Sequence, residues 1–173
     1  MKKILLSISV FIFCFSLVSC SSKGDSAPIP TTDRPFSSNL QISLDNLSYE
    51  GFLTFQNGSN ATLEITKPDS LSSLIFTLSN GELSAKYEGL SFPLSSLDSN
   101  AKSAVEMIFS AIASAGVSNN VQVNEAKGEF TVSGKIYSYK YDMIFDRMSG
   151  AIKSFSVPSE SLFVTFTNFK FLG

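Results

Sequence analysis

Asp98-Ser99-Asn100-Ala101-Lys102-Ser103-Ala104-Val105-Glu106-Met107-Ile108-Phe109-Ser110-Ala111-Ile112-Ala113-Ser114-Ala115-Gly116 is a stretch in which apolar residues stop alternating and return every three or four positions. Ala101, Ala104, Val105, Ile108, Phe109 and Ile112 then fall on one side of a helix, with serines, Lys102 and Glu106 elsewhere around it. Asp98 or Ser99 supplies the N-cap oxygen and Gly116 the C-terminal stop. The spacing predicts one amphipathic helix over 98–115.

Upstream and downstream the period is two, the pattern of antiparallel strands with one wet face. Leu40, Ile42 and Leu44 share one side of a first strand. A second runs over 49–56 to Asn57-Gly58, a hairpin dipeptide, and a third over 61–66 to Lys67-Pro68. Residues 69–73 make a short helical turn before Leu74, Phe76 and Leu78 alternate. Asn80-Gly81 turns the chain into Leu83, Ala85 and Tyr87, and Pro93 ends that strand. After the helix, strands are predicted at 121–126, 129–133, 135–145, 151–157 and 162–172. Asn46, Asn57 and Asn60 begin glycosylation-type triplets and read as turn and strand residues.

About nine strands and one long helix give a mainly β, α+β domain. The helix is the amphipathic element long enough to cover the apolar face of so large a sheet. One helix covers only part of it, so the expected solution is a curved antiparallel sheet or half-barrel with the helix packed on its concave side, enclosing an apolar cavity. The candidate lining from the sheet is Phe76 with Tyr137, Tyr139 and Tyr141, three phenols placed on one face by alternation. From the helix it is Val105, Ile108, Phe109 and Ile112. In the closing strand Phe163, Phe169 and Phe171 alternate with Leu162, Val164 and Phe166, so one of its faces is either covered or offered to a partner.

The chain begins with Met1-Lys2-Lys3 and an uncharged apolar run from residue 4 to 18, too short to span a bilayer. The run ends in Leu17-Val18-Ser19-Cys20, which resembles the lipobox of bacterial lipoproteins. That resemblance implies a diacylglyceryl group on Cys20, cleavage before it, and attachment to a cell membrane or outer membrane on the extracytoplasmic side. Residues 1–19 are then the signal peptide and 20–35 the lipidated cysteine and a Ser/Pro-rich tether, about 20–25 Å long as a flexible coil. Residues 36–173 are the folded domain. Cleavage leaves 154 residues without a cysteine in the folded part, and 11 basic against 15 acidic side chains, a net charge of −4. No disulfide is available to such a domain, which must stand on its own core. The balance argues against nucleic acid.

With no His in 173 residues, histidine-based nucleophile pairs and metal sites are excluded. Ser99-Asn100-Ala101-Lys102 and Ser118-Asn119-Asn120 imitate two elements of penicillin-recognising serine enzymes, but no Lys-Thr-Gly follows, and a helix cap explains the first. Asp142 with Asp146, and Glu125 with Glu129, read as solvated turn charges rather than a catalytic or metal-binding pair. No catalytic residue, cofactor or metal is expected.

The layout of lipobox, tether, strand meander, helix and second meander resembles the LolA/LolB-type lipoprotein carriers and related small lipoproteins. The local echo is Tyr141-Asp142-Met143-Ile144-Phe145-Asp146-Arg147-Met148-Ser149-Gly150-Ala151-Ile152-Lys153-Ser154, a strand, an Asp-x-x-x-Gly turn and a strand. The resemblance implies a hydrophobic cavity that holds acyl chains. The N-terminal helix and the exposed apolar loop of the carriers are missing, so active lipoprotein transfer is not implied. The expected role is non-enzymatic binding of a lipid or other apolar ligand; the alternative is an interaction or sensor module with a filled core, docking another envelope protein.

Overall fold

The structure, a computed structural model, describes residues 34–93, 100–116 and 120–173. The leader, Cys20, the tether as far as residue 33, the proposed cap at Asp98 or Ser99, and Ser118 lie outside these residues. Eleven strands form one open antiparallel sheet: β1 (Phe36–Leu44), β2 (Leu47–Asn57), β3 (Asn60–Lys67), β4 (Ile75–Ser79), β5 (Glu82–Tyr87), β6 (Leu90–Pro93), β7 (Val121–Asn124), β8 (Glu129–Ile136), β9 (Tyr139–Asp146), β10 (Ile152–Val157) and β11 (Leu162–Phe171). A helix, α1 (Asn100–Ala115), lies in sequence between β6 and β7. The sheet order is β6-β5-β4-β3-β2-β1-β11-β10-β9-β8-β7, two meanders joined where β1 pairs with β11.

The eleven strands exceed the roughly nine expected, in part because one turn has an unexpected residue. Asn80 and Gly81 adopt φ of 52° and 85°, the doubly left-handed turn that Asn-Gly favours. Glu88 and Gly89 repeat it at 47° and 86°, and β6 pairs back on β5 from Tyr87 opposite Leu90. Glutamate is a poor signal for φ above zero, so the alternation reads as one strand ending at Pro93. The helical turn over Asp69–Leu71 is present.

One face of the sheet carries the core. Phe36, Leu40, Leu53, Phe55 and Leu63 from one meander, and Phe130, Met143, Phe145, Phe155 and Val164 from the other, are at most 1% exposed. Each buried Phe or Leu stabilises the fold by about 1.5–3 kcal/mol. Phe130 and Phe145, on adjacent strands, stack at 4.8 Å.

In β11 the alternation fails for a physical reason. Leu162, Val164 and Phe166 are buried and Phe163 is exposed, as parity requires. Then Asn168, at φ 52°, and a register shift between Ser37 and Asn39 insert a bulge that reverses the facing of the residues beyond it. Phe169 thereby packs against the core and stacks on Phe36 at 4.6 Å instead of sharing the outward face of Phe163. The Ser38 hydroxyl, buried beside the bulge, donates to the Thr167 carbonyl at 2.8 Å. Among the described residues no buried side-chain nitrogen or oxygen lacks a partner, and no helix is long and apolar enough to cross a membrane.

The acidic residues at the turns serve to close them. The Asp146 carboxylate accepts from the backbone N–H of Met148 and Ser149 and from the Ser149 hydroxyl, at 3.2, 2.8 and 2.7 Å. Glu125 pairs with Arg147, and Glu129 with Lys153. The bonds from Ser149 hold the Asp146 carboxyl below its ordinary pKa. A carboxylate so depressed stabilises the fold above its unfolded value and ceases to do so as pH falls through the folded one. Urea midpoints measured from about pH 5 down to pH 2 should therefore fall less steeply for Asp146→Asn, which keeps an acceptor oxygen but does not titrate, than for the wild type. Equal slopes would show that this turn contributes nothing to acid sensitivity.

Candidate functional site

The small side chains of α1 let it lie close on the sheet. Val105, Ile108, Phe109 and Ile112, the four expected from helical spacing, are all buried, at 5%, 0%, 2% and 0% exposure. The helix packs against β8 and β9 in the second meander, and residues of its first half meet β1, β3 and β4 in the first.

Two of the spaces that adjoin it hold the expected lining residues. The first is an apolar cavity of about 90 Å³ whose walls include Leu63, Ile65, Leu74 and Phe76 of the sheet side and Val105 and Ile108 of the helix. That volume takes only a few methylenes, far below the roughly 300 Å³ at which ligand pockets begin. The second is an open cleft of about 1140 Å³ between α1 and the β4–β5 hairpin. Leu78, Leu83 and Phe109 are apolar parts of its lining, while Asn80, Glu82, Glu106, Ser110 and Ser114 are polar ones. Leu78 lies two residues beyond Phe76 on the same face of β4, and Phe109 follows Ile108 on the helix, so the two spaces flank one helix–sheet seam.

Phe76, Val105 and Ile108 thus meet at the cavity, Phe109 reaches the cleft, and Ile112 is buried in the core. The tyrosine row does not form the expected wall. β8 and β9 are two strands, Ile136 pairs with Tyr139, and Tyr137 occupies the turn between them at φ 55°. It is 75% exposed at the rim of the cleft. Tyr139 is partly buried, and only Tyr141, at 2%, is enclosed. Burial raises the Tyr141 pKa, against a smaller opposing effect of its hydrogen bond with Ser114 of α1.

Tyr141 has that place because Gly134 lies opposite it on β8. A β-carbon at 134 would come within 2.6 Å of the Tyr141 ring and hydroxyl. A glycine inside a strand pattern is the sequence signal for such a close approach, and alternation alone passes over it. Glu82 and Glu106 had no signal of their own: one sits beside a hairpin turn and the other on a helix, as solvated glutamates commonly do.

No known family profile matches the sequence, and no curated protein matches it. Solved structures are similar in fold. An uncharacterized conserved protein from Thermus thermophilus superposes with a TM-score of 0.51 at 9% identity, over 84% of this chain and 83% of that one. A LolA superfamily protein from Nitrosomonas europaea gives 0.43 at 13% identity, over 84% and 89%. A DUF1329 family protein from Desulfovibrio piger gives 0.37 at 7% identity, over 82% and 87%.

Proposed function

We propose that the chain is a lipid-anchored, non-enzymatic protein of the extracytoplasmic side of a bacterial membrane, and that its sheet curls into a half-barrel and receives an apolar chain between sheet and α1. The observation that carries this reading is the largely apolar cavity of about 90 Å³ at the helix–sheet seam, whose wall residues Phe76 and Ile108 neighbour Leu78 and Phe109 of the open cleft. Curvature is supported by the cleft itself. Residues of β4 and β5 line it together with Tyr137 at the β8–β9 turn, although six to eight strand spacings separate those strands in the sheet order. In a flat sheet that is roughly 29 Å or more, against a helix about 10–12 Å across.

The anchor rests on Leu17-Val18-Ser19-Cys20 and the apolar run before it. Two acyl chains there would hold the protein firmly, since each buried methylene contributes about 0.8 kcal/mol. An acyl chain is larger than the cavity, so binding in this reading requires α1 to move outward from the sheet, with Val105 and Ile108 exchanging sheet contacts for ligand contacts.

The test is native mass spectrometry of the full chain extracted from bacterial membranes, with organic extraction of whatever it carries. A stoichiometric lipid beyond the groups attached at Cys20 is the expected result. A mass accounted for by the polypeptide and its attached lipid, unchanged after incubation with membrane lipids, would overturn ligand binding. It would favour instead a filled-core module docking an envelope protein, a reading that the smallness of the cavity supports. Exposed Phe52 and Phe163, on the face of the sheet away from the core, would then be its contact residues.

A further inference from the structure

We infer that the open cleft between α1 and the β4–β5 hairpin is a headgroup site for a single-chain amphiphile bearing a cationic amine. The inference rests on the reading that an apolar chain lodges at the helix–sheet seam, and adds the chemistry of the end that stays outside. Glu82 and Glu106 are the ionised side chains among the described residues that line the cleft, one from each wall, and no Lys or Arg joins them. None of the ion pairs among the described side chains includes either glutamate. An anionic headgroup placed there meets carboxylates and, among the described residues, no cation, whereas an ammonium group meets a counter-charge on either wall.

The neutral polar groups point the same way. Ser114 Oγ donates to the Ser110 carbonyl, and Ser84 Oγ donates to the Thr77 carbonyl at 3.4 Å. The Ser114 oxygen is further engaged by the Tyr141 hydroxyl, so the acceptor that remains open in the cleft is chiefly that of Ser84. An ammonium group is the complement, three donors and no acceptor. Tyr137 at the rim adds an exposed ring of the kind a cation is drawn to. The apolar part of the lining, Leu78 and Phe109, leads along β4 and α1 to Phe76 and Ile108 at the cavity, which gives the attached chain its direction.

The experiment is titration calorimetry of the delipidated full chain with three probes of equal chain length, each below its micelle concentration: dodecylammonium, dodecyl maltoside and dodecanoate. Dodecylammonium should bind about tenfold more tightly than dodecanoate, with the uncharged maltoside between them. In Glu82→Gln/Glu106→Gln, checked by circular dichroism for unchanged folding, the preference should shrink to about twofold while maltoside binding stays the same. Dodecanoate binding as tightly as dodecylammonium, or a preference that survives the double substitution, would overturn the headgroup assignment and leave the apolar site standing. Failure of all three probes to bind would overturn both.

Discussion

A chain carrying Ile108→Asp is expected to be unfolded, or folded only at a pH low enough to protonate the new carboxyl. Ile108 is fully buried, on the face of α1 that meets the sheet, and its neighbours at the cavity are aliphatic and aromatic. An ionised carboxylate there meets no cation among the described lining residues, and such a group costs several kcal/mol. That is comparable with the whole stability of an ordinary domain, about 5–15 kcal/mol. Circular dichroism and urea unfolding at neutral pH measure the effect. Ile108→Ala provides the graded control, with an expected loss of about 2–5 kcal/mol. If Ile108→Asp unfolds at the wild-type midpoint, α1 does not pack on the sheet through this face, and the candidate site is misplaced with it.

The second large effect is expected at Gly51, in the middle of β2 and buried. A β-carbon built there would approach the Glu64 carbonyl oxygen of β3 to 2.8 Å and Leu63 Cδ1 to 2.9 Å. The first is main chain and cannot rotate away, and the β2–β3 pairing is already irregular at this point, with a register shift between Glu50 and Gly51. Gly51→Ala should cost about 1–3 kcal/mol and Gly51→Val more, since inserted atoms force the strands apart. A valine variant with an unchanged urea midpoint would contradict the close pairing of β2 and β3.

What the sequence made legible divides along physical lines. The helix was readable because Ala104, Val105, Ile108, Phe109 and Ile112 recur at its own period, and all five are buried. The first meander was readable from Asn57-Gly58 and Asn80-Gly81, whose backbone preferences announce turns. What escaped were places where one residue adopts a conformation against its usual preference. Glu88 at φ 47° created β6, Tyr137 at 55° moved the break between two expected strands from residue 134 to the turn after Ile136, and Asn168 at 52° turned Phe169 inward. Each is a non-glycine residue with left-handed backbone in a run that otherwise alternates, and alternation alone does not mark where it breaks. The cleft escaped for another reason. It is assembled from the β4–β5 hairpin, α1 and the β8–β9 turn, segments more than fifty residues apart at the extremes, so no local pattern contains it.

Entry of an apolar ligand between α1 and the sheet requires the helix to move, and a covalent staple can hold it still. A β-carbon at Gly58, in the β2–β3 turn, would lie 3.4 Å from Cβ of Ala113 on the helix. That is close to the range of about 3.5–4.5 Å found across disulfides. The chain's own cysteines, Cys14 and Cys20, both fall outside the described residues and are replaced by serine for this purpose. In that background Gly58→Cys/Ala113→Cys staples α1 to the sheet under oxidising conditions and frees it on reduction. The measurement is uptake of dodecyl maltoside by the oxidised and the reduced protein. Uptake only after reduction is the result predicted; equal uptake by the stapled protein would contradict entry between helix and sheet.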